Sequence, residues 1–383
     1  MAEALRLAAD LPSRTWPNPP VGAVVVLDGE IVGRGRHLGL GHDHAEAVAL
    51  DEAGDSARGA TLYVTLEPCN HHGRTPACAP RVVDSGITRV VAGVRDPNPN
   101  VAGGGLDLIA AAGIDIAVGV RGAECLDLIW PFVVTSAFRR PFVLLKTATS
   151  LDGRFAPPPD LDSAGEPFYL TGKAARTEVH RLRRWCDAVL VGRGTVAADN
   201  PRLDGRSAVP DCPREDPRPA CVDTMLRAAA GWDRPGALVF AGPEAAAASE
   251  GDVMRGADSA AEAMEIVNCE LRDGSVDPAD LLRRAAGLGI SVLMVEGGPA
   301  LAASFLGAGL VDRWVHFTAP IFLGGGPSWP VGSGPGDEFR RFGPTRSHTC
   351  GNDMAVVWDR TPFADSLARL TMAEDELPAG TEA

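Results

Sequence analysis

His44, Cys69 and Cys78 are the residues of this 383-residue chain best suited to chemistry. An imidazole and two thiolates can hold a zinc ion and leave its fourth position open to water. Glu46 follows His44 by two residues, close enough to move protons for that water without binding the metal. Zinc lowers the pKa of bound water towards neutrality. Together the four residues suit hydrolysis at an amidine-like ring carbon with release of ammonia. The bland alternative is a core histidine, two buried thiols and a solvent-facing carboxylate. Residue type, order and the flanking Pro68-Cys69 favour the metal.

The order matches the zinc deaminase signature, H-x-E followed by P-C-x-x-C, except in one gap. Eight residues, Asn70 to Ala77, stand between the cysteines. This insertion is polar, basic and turn-forming, and its place between two ligands puts it at the pocket. The run P-C-N-H-H-G-R-T-P-A-C resembles the deaminase half of the bifunctional riboflavin-biosynthesis deaminase/reductases. T-W-P-N-P-P-V-G, from Thr15 to Gly22, resembles that family's entrance loop, and D-P-N-P-N-V-A-G-G-G, from Asp96 to Gly105, extends the resemblance. The residues make Asn18 the best candidate to hydrogen-bond a pyrimidine edge, with a turn role as its rival. His71, His72 and Arg74 are candidates for substrate and phosphate contacts, since the family's insertion loop helps hold a ribose phosphate. His37 matches a family pocket histidine. Trp16 stands where the family commonly has His, and Pro20 where it has Asn.

The second half carries its own motifs. Lys146-Thr-Ala-Thr-Ser150-Leu-Asp152-Gly153-Arg154 resembles the opening of the family's reductase half, which is related to dihydrofolate reductase. The resemblance continues through Asp187 to Leu203, Val295 to Pro299 and Leu323 to Gly326. It implies NADPH contacts at Ala148, Tyr169, Thr195, Asp199, Thr224 and the segment Gly298, Pro299, Ala300, Leu301, Ala302, Ala303 and Ser304. It implies substrate contacts at Lys146, Pro167, Arg183, Leu203, Arg206 and Glu296. Arg183 and Arg206 suit phosphate, which guanidinium binds bidentately. A helix opening after Gly298-Pro299 would offer N–H groups to a pyrophosphate. Pro167 replaces a usual Ser, Tyr169 a Trp, and Asn200 the second Asp of a usual Asp-Asp-Pro.

Elements must position these residues. The first ~140 residues alternate strand and helix signals. Val21–Leu27 and Glu30–Gly35 suggest a hairpin about Asp28-Gly29. His44–Ala53 has helical spacing, Thr61–Thr65 reads as a strand, Ala79–Ser85 as a helix, and Arg89–Val94 and Ile114–Val118 as strands. Arg139-Arg140-Pro141 marks a junction. Beyond it Phe142–Lys146, Ala188–Gly192, Ala220–Asp223, Ala237–Phe240 and Ser291–Val295 read as buried parallel strands. Glu244–Ala263, broken near its glycines, and Pro278–Leu288 fit helices; Pro157–Gly165 and Asp204–Pro219 read as loops. The expected fold is α/β, with an N-terminal cytidine-deaminase-like α/β/α domain over 1–140 and a dihydrofolate-reductase-like α/β domain over 141–362. An acidic tail of weak pattern occupies 363–383.

The composition, 45% hydrophobic and 22% charged, is globular. A net charge of −14 argues against a nucleic-acid binder. No apolar run reaches the length of a membrane span, and the acidic N-terminus is a poor signal peptide. Eight cysteines do not make a disulfide scaffold; Cys125, Cys186, Cys212, Cys221, Cys269 and Cys350 read as ordinary thiols of a reducing cytoplasm. The expectation is a cytoplasmic bifunctional enzyme with one zinc per chain and NADPH, dimeric through the reductase half. By resemblance it would deaminate 2,5-diamino-6-ribosylamino-4(3H)-pyrimidinone 5′-phosphate and then reduce the ribosyl group to ribityl. Three rivals stand beside it. One is a deaminase whose second domain serves only interaction and dimerisation. Another is the same architecture acting on a related pyrimidine or pterin phosphate. The last, a nucleic-acid base deaminase, is disfavoured by the charge.

Overall fold

The structure, a computed structural model, describes residues 1–9, 15–71, 76–98, 104–158, 168–206, 216–232, 234–249, 264–330 and 343–360. The chain divides into two compact units, Met1–Arg139 and Arg140–Thr361.

The first unit opens with α1 (Ala2–Ala9), which buries Ala4 and Ala8 on one face. β1 (Gly22–Leu27) and β2 (Glu30–Arg36) form a hairpin. Asp28 and Gly29 turn the chain at φ 51° and 86°, as a two-residue turn with primed geometry requires. α2 (Ala45–Ala53), β3 (Thr61–Leu66), α3 (Cys78–Asp84), β4 (Arg89–Val94), α4 (Gly104–Ala111), β5 (Asp115–Val118) and α5 (Gly122–Phe138) follow. The strands order as β2-β1-β3-β4-β5. β1 runs antiparallel to both neighbours, and β3, β4 and β5 are parallel. Val-rich β1 and β4 suit this buried, pleated setting. α5 carries Pro131 inside its length and packs on α1 and β4.

α2 lies directly on the backbone of β2. A Cβ added at Gly35 would fall 1.9 Å from the Ala45 carbonyl oxygen, and one at Gly33 would fall 2.1 Å from that of Ala49. Only glycine permits this approach, and the alanines opposite keep the helix close. The G-R-G run of β2 therefore places the start of α2, where His44 stands.

The second unit comprises β6 (Phe142–Ser150), α6 (Lys173–Trp185), β7 (Ala188–Gly192), α7 (Arg193–Asp199), β8 (Arg218–Val222), β9 (Leu238–Ala241), α8 (Pro243–Ser249), β10 (Glu265–Asn268), β11 (Leu271–Arg272), β12 (Ser275–Val276), α9 (Pro278–Gly287), β13 (Val292–Val295), α10 (Pro299–Gly307), β14 (Arg313–Ala319), β15 (Gly343–Cys350) and β16 (Asp353–Asp359). Its main sheet runs β10-β9-β8-β7-β13-β6-β14-β16-β15. It is parallel from β10 to β14, and antiparallel where β16 joins β14 and β15 joins β16. Leu145, Leu190, Phe240, Leu293 and Phe305 share its core.

Several expectations need adjusting. β6 continues past Lys146 to Ser150, because alternate residues stay buried along β14. β8 begins at Arg218, inside the expected loop. α8 spans Pro243–Ser249, and positions 250–263 lie outside the described residues, as do 159–165 and the tail 363–383. The antiparallel β15 and β16 add an edge that the buried-parallel reading did not contain.

Candidate active sites

His44 is the N-cap of α2, in extended conformation at φ −69° and ψ 156°, so Glu46 falls in the first helical turn. Cys69 lies just past β3, and Cys78 opens α3. One strand end and two helix starts thus deliver the proposed ligands. His44 Nδ1 is 3.4 Å from Cys69 Sγ and 3.3 Å from Cys78 Sγ, and the three ligand atoms lie within 4.8 Å of one another. Tetrahedral zinc, with bonds of about 2.0–2.3 Å, separates a nitrogen from a sulfur ligand by about 3.6 Å. The trio already has that spacing and donor set, so the residues fit zinc. The Cys78 N–H donates to Cys69 Sγ at 3.4 Å and the Ala79 N–H to the Cys69 carbonyl at 2.9 Å, tying the two cysteine segments together.

The Cys78 thiol and the His44 imidazole beside Cys69 bring its thiol down to about 4. Cys78 is pushed up by Cys69 and by burial. Two sulfurs sharing one proton become a full ligand pair when a cation displaces it. Glu46 is buried, 4% exposed. Burial raises its carboxyl to about 7, and its hydrogen bond with Cys78 opposes the rise; a bound cation acts in the same sense as that bond.

Asn18, in the turn before β1, places Nδ2 3.0 Å from His37 Nε2. His37 Nδ1 lies 3.1 Å from the Asp43 carbonyl. Only a donor can face that oxygen, so Nδ1 carries the proton and Nε2 accepts from the Asn18 amide. Burial lowers the pKa of His37 and keeps the ring neutral. Its edge meets the His44 ring at a centroid distance of 5.3 Å. The amide nitrogen of Asn18 is thereby committed, which leaves its oxygen to accept from a donor. His71 is exposed. His72 and Arg74 lie outside the described residues.

Glu67, absent from the sequence reading, organises the far wall. Its Oε1 accepts from the N–H groups of Gly105 and Leu106 at 3.0 and 3.1 Å, and Oε2 from that of Asp96 at 3.0 Å. One carboxylate ties the end of β3 to the start of α4 and to the D-P-N-P run. Asp96 accepts from the Asn98 N–H at 2.8 Å. Burial, with Glu67 nearby, raises the Asp96 carboxyl to about 7. The one sequence signal for Glu67 was its place two residues before a ligand.

In the second unit Glu296, just past β13, joins two expected site residues. Its Oε1 accepts from Lys146 Nζ at 3.2 Å and its Oε2 from Arg183 Nε at 2.7 Å. The Arg183 guanidinium also donates to the Asp204 carbonyl at 3.2 Å. Although burial works against it, the Arg183 and Lys146 charges hold the Glu296 carboxyl at about 2. Lys146 lies on β6 and Arg183 on α6, so strand and helix converge on one carboxylate. Leu203 is buried with φ +59°. Arg206, expected as a phosphate clamp, pairs with Asp204, as does Arg202 at 2.8 Å. Asp204 was missed, although an acid between two arginines in R-L-D-G-R was a local charge signal. Pro167 lies outside the described residues.

The positions expected for NADPH collect at the carboxyl ends of adjacent parallel strands. Ala148 lies late in β6, Thr195 in α7 after β7, Thr224 past β8, and Gly298 past β13. Open α/β sheets bind ligands at that edge. Gly298 caps α10 without a side-chain hydrogen bond, and Pro299 takes the first turn. A Cβ at Gly298 or Gly194 would meet nothing within 4 Å, so the backbone there is open to a cofactor. Ala300, Leu301, Ala302, Ala303 and Ser304 continue α10, and Asp199 ends α7. Tyr169 is exposed, with the Arg176 guanidinium 4.3 Å from its ring centroid.

Known proteins share both units. Residues 141–356 match the family model of the RibD C-terminal domain, and residues 1–94 match the cytidine and deoxycytidylate deaminase zinc-binding region. The riboflavin biosynthesis protein RibD of Escherichia coli (strain K12) is 38% identical over 339 residues, covering 85% of this chain and 88% of that protein. RibD of Aquifex aeolicus (strain VF5) is 37% identical over 362 residues, covering 94% of this chain and 97% of its own. A diaminohydroxyphosphoribosylaminopyrimidine deaminase/5-amino-6-(5-phosphoribosylamino)uracil reductase from Thermotoga maritima superposes with a TM-score of 0.75 at 32% identity, over 94% of this chain and 97% of that one. Acinetobacter baumannii RibD gives a TM-score of 0.74 at 31% identity, with the same coverage. The cysteine-histidine trio of the first unit, the strand-end site of the second and these full-length likenesses agree: the chain belongs to the RibD family of bifunctional deaminase/reductases of riboflavin biosynthesis.

Proposed function

We propose that the first unit deaminates 2,5-diamino-6-ribosylamino-4(3H)-pyrimidinone 5′-phosphate and that the second then reduces the ribosyl group to ribityl. The observation that carries the reading is the His44, Cys69 and Cys78 trio with Glu46 buried beside it. Zinc, when bound, supplies an activated water, and NADPH supplies a hydride. The carboxylate of Glu46 takes a proton and returns it to the departing amine. Asn18, its amide nitrogen held by His37, presents its oxygen to the donor edge of the pyrimidine. His71, His72 and Arg74 belong to the insertion that holds the phosphate.

In the second unit Lys146 and Arg183 are kept in place by Glu296, and the three side chains together carry one positive charge. Arg183 commits its Nε to Glu296 and one terminal nitrogen to Asp204, which leaves its other terminal nitrogen for substrate oxygen. Arg206 and Leu203 complete the substrate side. Ala148, Tyr169, Thr195, Asp199, Thr224 and the start of α10 form the NADPH side. Asn200, one motive for a non-reducing second unit, has a structural role here. It closes α7 at φ 41° and ψ 56°, a left-handed conformation that asparagine tolerates better than most residues.

The reading includes cytoplasmic residence, a homodimer joined through the reductase unit, and a small-molecule rather than nucleic-acid partner. The net charge of −14 supports the last point. Among the described residues no helix is long and apolar enough to cross a membrane. A paired assay on zinc-loaded protein tests the chemistry. Ammonia release followed by NADPH oxidation carries the proposal. Ammonia alone leaves a deaminase with a silent second unit, and neither signal points to another substrate.

A further inference from the structure

Among the described residues two trios of metal-ligating side chains converge. The first is the His44, Cys69 and Cys78 site. We propose that the second, Glu178, His348 and Cys350, is a binding site for a transition-metal ion of the zinc class.

The trio spans two elements of the reductase unit. His348 and Cys350 stand two apart on β15, the edge strand, so their side chains leave the same face. Glu178 comes from α6, which packs on β15. His348 Nε2 is 3.0 Å from both carboxylate oxygens of Glu178, and Cys350 Sγ is 2.8 Å from Oε2. All three ligand atoms lie within 4.8 Å of one another. Imidazole nitrogen, thiolate sulfur and carboxylate oxygen are the ligands zinc takes. Cys350 is buried while the His348 side chain is 42% exposed. An ion therefore has an entrance on the histidine side, where solvent reaches the cluster.

The donors sit on an anchored surface. The Gly172 N–H at the start of α6 donates to Asp353 Oδ2 at 2.7 Å, and a Cβ at Gly351 would lie 3.3 Å from that of Ala174. Zinc holds a sulfur and an oxygen ligand about 3.6 Å apart, so Cys350 and Glu178, now 2.8 Å apart, would separate slightly as the ion replaces the proton between them. Binding displaces the Cys350 proton to solvent as the thiolate takes the metal, with no change of oxidation state. The same helix carries Arg183, so the ion would fasten the helix that bears a substrate-site arginine to the outermost strand.

The test uses the full chain, stripped by chelator, reloaded with excess zinc and desalted. Elemental analysis should find about two zinc ions per chain, and about one in Cys350→Ser and in His348→Ala. Ammonia release should stay at the wild-type level in both variants, since neither residue lies in the catalytic machinery. Cobalt loading should show thiolate-to-metal absorption that Cys350→Ser reduces and does not abolish. His348 is exposed, so its variant reads the site even where loss of Cys350 disturbs folding. About one zinc in the wild type, or a second ion kept by both variants, overturns the proposal.

Discussion

The amide nitrogen of Asn18 lies 3.0 Å from Nε2 of His37, and that bond decides which end of the Asn18 amide faces the pocket. His37 is in turn held through Nδ1 by the Asp43 carbonyl. Asn18→Ala should lower kcat/KM for ammonia release by about 10²-fold, the range for losing one positioned hydrogen bond at a reacting centre. His37→Ala should lower it about tenfold through misorientation of Asn18, with the larger share in KM. Zinc content should be unchanged in both. Steady-state kinetics alongside metal analysis checks the pair.

Glu46→Gln should keep zinc and slow ammonia release by about 10²–10⁴-fold, the contribution of positioned proton transfer. Reduction of supplied deaminated intermediate should continue at the wild-type rate. Retained deamination would remove Glu46 from the mechanism.

Cys78→Ser should leave the first unit largely free of zinc. His44 and Cys69 remain, and two donors hold the ion far less firmly than three. Chelation of the wild type should reproduce the loss of ammonia release. Calorimetry should show a lowered melting transition in both, since a ligand that binds only the folded state stabilises it. Unchanged zinc in the variant would mean that another residue is the third ligand.

Glu296 sets an acid limit. Its folded carboxyl sits at about 2, below the ordinary value of 4.5, because Arg183 and Lys146 flank it. The unfolded chain therefore binds its proton first as pH falls. The stabilisation is fully present above about pH 4.5 and declines between there and about pH 2. Glu296→Gln leaves two half-buried cations without their anion. It should cost about 1–3 kcal/mol, between the exposed and the fully buried ion pair, and flatten that part of the pH profile, as read by denaturant melts at several pH values.

What the sequence disclosed depended on distance along the chain. The trio of the first site was legible because H-A-E marks His44, P-C marks Cys69, and Cys78 closes the run P-C-N-H-H-G-R-T-P-A-C. The hairpin was legible because Asp28-Gly29 is a turn signal in itself. Glu67 was not, because its partners are backbone N–H groups of Asp96, Gly105 and Leu106, which have no side-chain signature. Glu178 was not, because His348 and Cys350 lie 170 and 172 residues away. No window along the chain shows such a meeting; only the packing of α6 on β15 creates it.

The contact of Gly33 and Gly35 with Ala45 and Ala49 has an evolutionary consequence. Backbone meets backbone there, so no flexible side chain can absorb a change, and the histidine ligand at the head of α2 inherits a fixed seat. The entrance loop around Asn18 belongs to a different stretch of chain, yet it reaches that seat through His37, which is bonded to Asn18 and packs on the His44 ring. Recognition and hydrolysis are therefore joined through one ring: a change of substrate preference at the loop has to keep His37 in place or carry the ligand histidine with it.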